Sequence, residues 1–413
     1  MPSLTGLSAG VKNYLLITAN YWSFTLTDGA LRMLVLLHFH QLGYTPIQLA
    51  LLFVFYEIFG VITNLVGGWL GARIGLNRTM NLGLGLQVLA LAMLTLPPEW
   101  LTLIWVMAAQ ALSGIAKDLN KMSAKSAIKL LLPENAQGRL YAWVAFLTGS
   151  KNALKGVGFF LGALLLSLWG FSGAIWAMLV LLLLVWGASL WLLREELGRT
   201  KHQPKFKEIF SNSSAINWLS AARLFLFAAR DVWFVIALPV FLKATLGWDF
   251  WQVGAFMALW VIGYGAVQAL APQVTQRVSG QLPQRAAAVG WGLALAIWPA
   301  LIALGLLADW PAGQVLVVGL LIFGVFFAVN SSVHSYLIVR YARSEGVSLD
   351  VGFYYMANAM GRLCGTLLSG WVFQVYGLVA CLWVSTALVL VAALLALALP
   401  SEGQLESTHT THN

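Results

Sequence analysis

Eight Lys and Arg residues lie inside or at the margins of apolar segments: Arg32, Lys117, Lys121, Lys151, Lys155, Arg223, Arg230 and Arg362. The same segments offer only Asp28, Glu57, Asp118 and Asp231 as acidic partners. A charge in hydrocarbon is expensive, so such residues face a polar cavity or pair with one another. Here cations outnumber anions two to one. The balance is restored if the missing negative charge arrives with a cargo. The chemistry these residues can do is to bind an anion and let it cross a membrane.

The spacing of the charges refines this. Lys151 and Lys155 stand four apart in GSKNALKGVGFF, so both ammonium groups share one helix face. They lie 12 to 16 residues beyond Arg139, about 18–24 Å along a helix axis and near mid-depth. Two like charges on one face repel unless an anion sits beside them or Asp28 or Glu57 reaches across. Arg362 in NAMGRLCG lies at a similar depth, and its planar fork suits carboxylate or phosphate-type oxygens. Asp28 and Arg32 have the spacing of an intrahelical pair. Arg230 and Asp231 are adjacent, so they point about 100° apart on a helix. They are expected to satisfy each other poorly, leaving Arg230 toward the path. Arg32 and Arg230 therefore join Lys151, Lys155 and Arg362 as candidate substrate-binding residues.

Glu57 has no basic neighbour in its own segment; with Asp28 and Asp231 it is a candidate for proton coupling or for charge balance. Lys117, Lys121, Lys125 and Lys129 recur every four residues as a basic stripe. Its outer part is expected to meet lipid headgroups or close the inner mouth, and Lys117, Asp118 and Lys121 to line the cytoplasmic entrance. Asn152, Asn358, Tyr354 and His334 are candidates for polar lining, although neutral polar residues in membrane helices are commonly interhelical contacts. No P-loop, zinc spacing or nucleophile elbow is present. Metal and cofactor are expected to be absent, and an enzyme or a nucleic-acid partner is not indicated. Cys364 and Cys381 both fall in apolar segments and suggest no disulfide framework.

The elements that must position these charges are membrane spans. The chain has 413 residues, 60% hydrophobic and 9% charged, with mean hydropathy +0.81. Soluble domains carry about 25% charged residues. Twelve segments reach the length of a span: 13–41, 46–72, 79–97, 100–121, 138–168, 172–193, 214–242, 250–273, 286–307, 312–339, 349–376 and 378–399. With the N-terminus inside, the inner loops collect Arg73, Arg78, Arg139, Arg194, Lys201, Arg277, Arg285, Arg340 and Arg343, while the outer loops hold Lys243 alone. That asymmetry places both termini in the cytoplasm. The expected organisation is a six-helix bundle at 1–193, a cytoplasmic linker at 194–213, a second bundle at 214–400 and a disordered tail at 401–413.

The two halves repeat in order. At an offset of 204, Gly43 meets Gly247, Gln48 meets Gln252, Tyr56 meets Trp260 and Arg73 meets Arg277. At 207, Lys155 meets Arg362, Gly158 meets Gly365 and Gly170 meets Gly377. Six spans return the chain to one side, so the repeats are parallel, as in the major facilitator fold. Lys155 and Arg362 are accordingly expected to face one central cavity from opposite halves.

Resemblance carries the reading further. GGWLGARIGLNR, at 67–78, resembles the major facilitator loop pattern, with Ala72 where the pattern has an acid. The strings NYWSFTLTDGALRMLVLLHFHQLGY, GIAKDLNKMSAKSAIKLL and TGSKNALKGVGFFLG resemble the ArsJ family of organoarsenical efflux permeases. That resemblance implies an inner-membrane exporter of 1-arseno-3-phosphoglycerate that confers arsenate resistance. It also implies a companion glyceraldehyde-3-phosphate dehydrogenase that makes the compound. The residues themselves reach only as far as a polyvalent organic anion. A carrier of another anion, such as a sugar phosphate or organic acid, and a non-transporting sensor on the same fold remain the alternatives.

Overall fold

A computed structural model describes residues 9–43, 46–132, 136–193, 197–199, 213–248, 250–344 and 346–400. Most of the expected linker and all of the expected tail lie outside the described residues. Among the described residues the regular structure is helical: α1 (Ala9–Gln41), α2 (Pro46–Ile74), α3 (Leu76–Met93), α4 (Leu103–Leu131), α5 (Gln137–Leu192), α6 (Ser214–Phe234), α7 (Ala237–Ala244), α8 (Phe250–Ser279), α9 (Arg285–Leu307), α10 (Ala312–Tyr341) and α11 (Val347–Ala396), with one 3₁₀ turn at Pro98–Trp100. A helix is the natural answer to hydrocarbon, because it satisfies every backbone polar group within the segment.

These helices account for the twelve spans once two glycines and one proline are considered. Gly170 interrupts α5 at φ 65°, ψ −176°, and Gly377 interrupts α11 at φ 79°, ψ −176°. Each long helix is thus two spans joined at a left-handed glycine, a conformation open to Gly and disfavoured for residues with a Cβ. The seventh span, expected as one helix over 214–242, is instead broken between α6 and α7. Pro239 lacks an N–H and its ring opposes the carbonyl four residues earlier, that of Val235, which is where the break falls. The freed amide of Ala237 donates to Ser369 Oγ at 3.2 Å.

Two compact units emerge. One comprises Met1–Trp143, Ser150–Phe210 and Ala342–Met356; the other comprises Val144–Gly149, Ser211–Tyr341 and Ala357–Asn413. Each has its own core. In the first, Phe24, Leu31, Leu34, Phe39, Phe171 and Leu179 are buried together. In the second, Trp233, Trp260, Tyr264, Phe323 and Phe327 form an aromatic centre, with Trp260 stacked on Tyr264 at 5.6 Å. Large apolar side chains are exposed along the helices, among them Leu184, Trp191, Leu301 and Leu367. Six stretches among the described residues reach span length and apolarity, from Leu164–Leu192 to Val347–Ala396.

Close helix crossings set the positions of the candidate cations. A Cβ on Gly158 would meet the Leu26 carbonyl at 2.8 Å, and one on Gly29 the Lys155 carbonyl at 2.9 Å. In the second unit, a Cβ on Gly365 would meet the Ala228 carbonyl at 2.7 Å and Asp231 Cβ at 2.9 Å. Small residues let membrane helices approach this closely. The α1–α5 crossing therefore fixes Lys155, and the α6–α11 crossing fixes Arg362.

Candidate functional site

In the first unit, three helices bring six ionisable side chains together. Arg32 on α1 pairs with Glu57 on α2 at 2.9 Å. Asp28, one turn before Arg32, accepts the Tyr56 hydroxyl at 2.9 and 3.1 Å and faces Ser113 Oγ at 3.5 Å. The Tyr56 ring lies against both the Arg32 guanidinium, at 4.2 Å, and the Lys117 ammonium, at 3.8 Å. Asp118 on α4 takes Lys121 at 2.5 Å and Lys117 at 3.5 Å while remaining 2% exposed. Gly60 leaves room for this pairing, since a Cβ there would meet Asp118 Oδ2 at 2.9 Å.

One expectation changes here, and one open alternative finds its partner. Asp28 and Arg32 have the spacing of an intrahelical pair, yet Asp28 takes Tyr56 and Arg32 takes Glu57 from the neighbouring helix. Glu57, solitary within its own segment, holds a cation supplied by α1. Sequence spacing reports neighbours on one helix only, and both choices depend on how α2 docks against α1.

The lysine stripe of α4 is turned inward. Lys125 is buried, and the Lys121 and Lys125 ammonium groups lie 4.8 and 5.2 Å from the Tyr355 ring. Lys129 donates to the Ala342 carbonyl. The start of α11 is further tied by Arg343 to Asp350 at 3.3 Å. Lys125 therefore does not present its charge to lipid headgroups. On α5, Lys151 donates to Asn152 Oδ1 at 3.2 Å, and the half-buried Lys155 lies 5.9 Å from the Phe159 ring.

In the second unit, Asp231 is the centre. Its Oδ1 accepts Arg230 Nε at 2.6 Å and stands 2.5 Å from Arg230 Nη2; its Oδ2 lies 3.4 Å from Arg362 Nε. The side chains of Arg230, Arg362 and Asp231 are 15%, 26% and 1% exposed. The two arginine side chains are thus partly exposed and the carboxylate is not. The expectation that adjacency would keep Arg230 from Asp231 is corrected. The 100° between Cβ directions is spanned because the long Arg side chain curls back. Phe227, Phe234 and Phe327 flank its guanidinium at 4.9–5.7 Å.

A further arginine was not among the candidate binding residues. Arg223 is buried; its Nε donates to Asn358 Oδ1 at 2.8 Å, and its Nη1 to the Ser331 carbonyl and hydroxyl at 3.1 and 3.0 Å. Tyr264 and Gln268 of α8 reach the same hydroxyl at 3.1 and 3.2 Å. Asn358 is thus an anchor for Arg223. His334 is 1% exposed and its Nδ1 has no hydrogen-bond partner among the described residues. Tyr354 and Tyr355 are buried and meet edge to face at 5.0 Å. Among the described residues no group of His, Cys, Asp and Glu is arranged to hold a metal ion.

Comparison with solved structures gives the same all-helical fold. The chain is similar to the human organic anion transporter MFSD10 (TETRAN), with TM-score 0.74 and 16% identity over 94% of this chain and 100% of that one. It is similar to a bacterial homologue of the iron transporter ferroportin in its outward-facing state, with TM-score 0.69 and 15% identity over 92% and 98%. For a variant of the E. coli fucose:proton symporter FucP the values are 0.71 and 13% over 95% and 100%. No curated protein matches the sequence. Residues 14–310 match the Major Facilitator Superfamily as a sequence family. Buried charge on apolar helices, glycine turns repeated from half to half and this family match converge: the chain is a multi-pass membrane transporter of the major facilitator superfamily.

Proposed function

We propose that this transporter exports a polyvalent organic anion, and that its cargo is 1-arseno-3-phosphoglycerate. The observation that carries the anion is how the charges of the apolar segments are distributed. In the first unit the carboxylates of Asp28, Glu57 and Asp118 are outnumbered by five cations: Arg32, Lys117, Lys121, Lys151 and Lys155. In the second, Asp231 stands against Arg223, Arg230 and Arg362. Among these residues each unit carries two more positive than negative groups at membrane depth, a surplus that an anionic cargo offsets.

The substrate-binding set follows: Lys151 and Lys155 in one unit, Arg230 and Arg362 in the other. Arg32, Lys117 and Lys121 are held by Glu57 and Asp118 and are assigned to charge balance beside the path. Asp28, Glu57 and Asp231 act as counter-ions rather than proton carriers. Export of a polyanion from a negative cytoplasm is already favoured by about 2.3 kcal/mol per charge per 100 mV. The arsenical identity rests on the resemblance of the α1, α4 and α5 strings to the ArsJ family. With it come the companion dehydrogenase, arsenate resistance and inner-membrane location; the cytoplasmic termini rest on the Lys and Arg bias of the inner loops.

The test uses everted vesicles. Glyceraldehyde-3-phosphate, NAD, arsenate and purified glyceraldehyde-3-phosphate dehydrogenase are supplied outside, and trapped arsenic is measured. Accumulation is expected only with all four present and the transporter in the membrane. Arg362→Ala and Lys155→Ala should each abolish it while the protein still reaches the membrane. Retained accumulation in both variants overturns the site. Arsenic accumulation no greater than in vesicles lacking the protein overturns the cargo; uptake of a sugar phosphate under those conditions establishes a carrier of another anion.

A further inference from the structure

We propose that the second unit carries a binding site for one anionic phospholipid, separate from the arginines of α6 and α11. The last turn of α8, the loop at 280–284, the first half of α9 and Phe326 of α10 enclose a groove of about 460 Å³. Val278, Leu282, Trp291, Ala294 and Phe326 make it apolar along its length, and Trp291 and Phe326 stand 5.6 Å apart. Polar groups gather at one end, where Ser279, Gln281 and Gln284 join the lining.

That end is also where positive charge collects. Arg285 sits between the lining residues Gln284 and Ala286, and Arg277 directly precedes the lining residues Val278 and Ser279; both arginines are exposed. Arg340 and Arg285 both act electrostatically on Tyr341, which places α10's terminal arginine near the same end. The rim is held in shape: Ser279 Oγ donates to the Thr275 carbonyl at 2.9 Å, and the Gln281 amide donates back to Ser279 Oγ at 3.4 Å. The floor is open at Gly290, where an added Cβ would meet nothing within 4 Å.

An apolar slot whose polar end is flanked in the chain by exposed arginines complements a molecule with a long apolar tail and an anionic head. Basic pockets between membrane helices select acidic headgroups in this way. A free oxyanion has no use for the apolar length, and a zwitterionic lipid gains less from the arginines. The occupant is therefore an anionic phospholipid of the surrounding bilayer, its acyl chain along Trp291 and Phe326 and its phosphate at Arg277 and Arg285. The site stands whether or not the transported anion is an arsenical.

Native mass spectrometry of the detergent-solubilised protein tests it, with phosphatidylglycerol and phosphatidylethanolamine as probes. One phosphatidylglycerol should be retained in preference to phosphatidylethanolamine. Arg277→Gln and Arg285→Gln should each weaken retention about fivefold, the factor corresponding to ~1 kcal/mol per charge near a membrane surface. Gly290→Leu should weaken it by filling the floor, with every charge in place. Each variant is scored only at wild-type thermal stability; if Gly290→Leu fails that standard, Gly290→Val replaces it. Equal retention in wild type and all variants overturns the site. So does loss in the arginine variants with full retention in the floor variant, since that describes a charged surface without a groove.

Discussion

At the scale of single residues, the interior is organised by which carboxylate takes which cation. Asp118 is the clearest case, because one carboxylate at 2% exposure is shared by two lysines. Asp118→Asn leaves both ammonium groups under-compensated and should destabilise the protein by about 3–5 kcal/mol. Thermal unfolding in detergent measures this, and Lys121→Gln added to Asp118→Asn should recover part of the loss. Glu57 makes a different point. Held at 2.9 Å by Arg32, it is a poor place for a travelling proton. Export measured at clamped potential with only the pH gradient varied should therefore respond equally in wild type and Glu57→Gln. A pH response that vanishes in Glu57→Gln would restore it as the coupling residue. Little of this pairing was legible in the sequence. The surplus of cations was visible as composition within apolar segments, but the choices of Glu57 for Arg32 and of Tyr56 for Asp28 are made across helices. Arg223 was visible as a charge in an apolar segment and not as the hub of Asn358, Ser331, Tyr264 and Gln268, because those four share no spacing with it.

At the scale of elements, the sequence was far more legible, and glycine is the reason. Gly43 and Gly247, aligned by the repeat, both adopt positive φ, 85° and 70°. Gly170 and Gly377, aligned by the second offset, do the same. Gly158 and Gly365 occupy equivalent close crossings. A backbone requirement that one residue type meets leaves a trace in sequence; a side-chain pairing that several types can meet does not. The broken seventh span was missed although Pro239 was in view, since its apolar run reads as continuous. Gly170→Ala and Gly377→Ala should each cost about 1–3 kcal/mol, the penalty for a side chain at positive φ with ψ near 180°. Gly187→Ala is the control: it lies inside α5 with open space around its Cβ position and should be neutral or mildly stabilising. Thermal unfolding of the three variants side by side separates turn geometry from general intolerance of substitution.

At the scale of the whole molecule, the mirrored glycines carry a consequence for how the polypeptide can be made. Each half contains its own set of turns, an even number of spans and its own apolar core. Nothing in the bend at Gly377 requires that the bend at Gly170 be on the same strand of peptide. The gene should therefore be severable. Residues 1–193 and 214–413, translated from separate messages with 194–213 omitted, are expected to insert independently and find each other in the bilayer. Co-expression should restore arsenic accumulation in everted vesicles above that of either fragment alone, and an affinity tag on one fragment should recover the other. If neither happens, the connecting peptide is a working part of the transporter and not merely the thread between two insertable pieces.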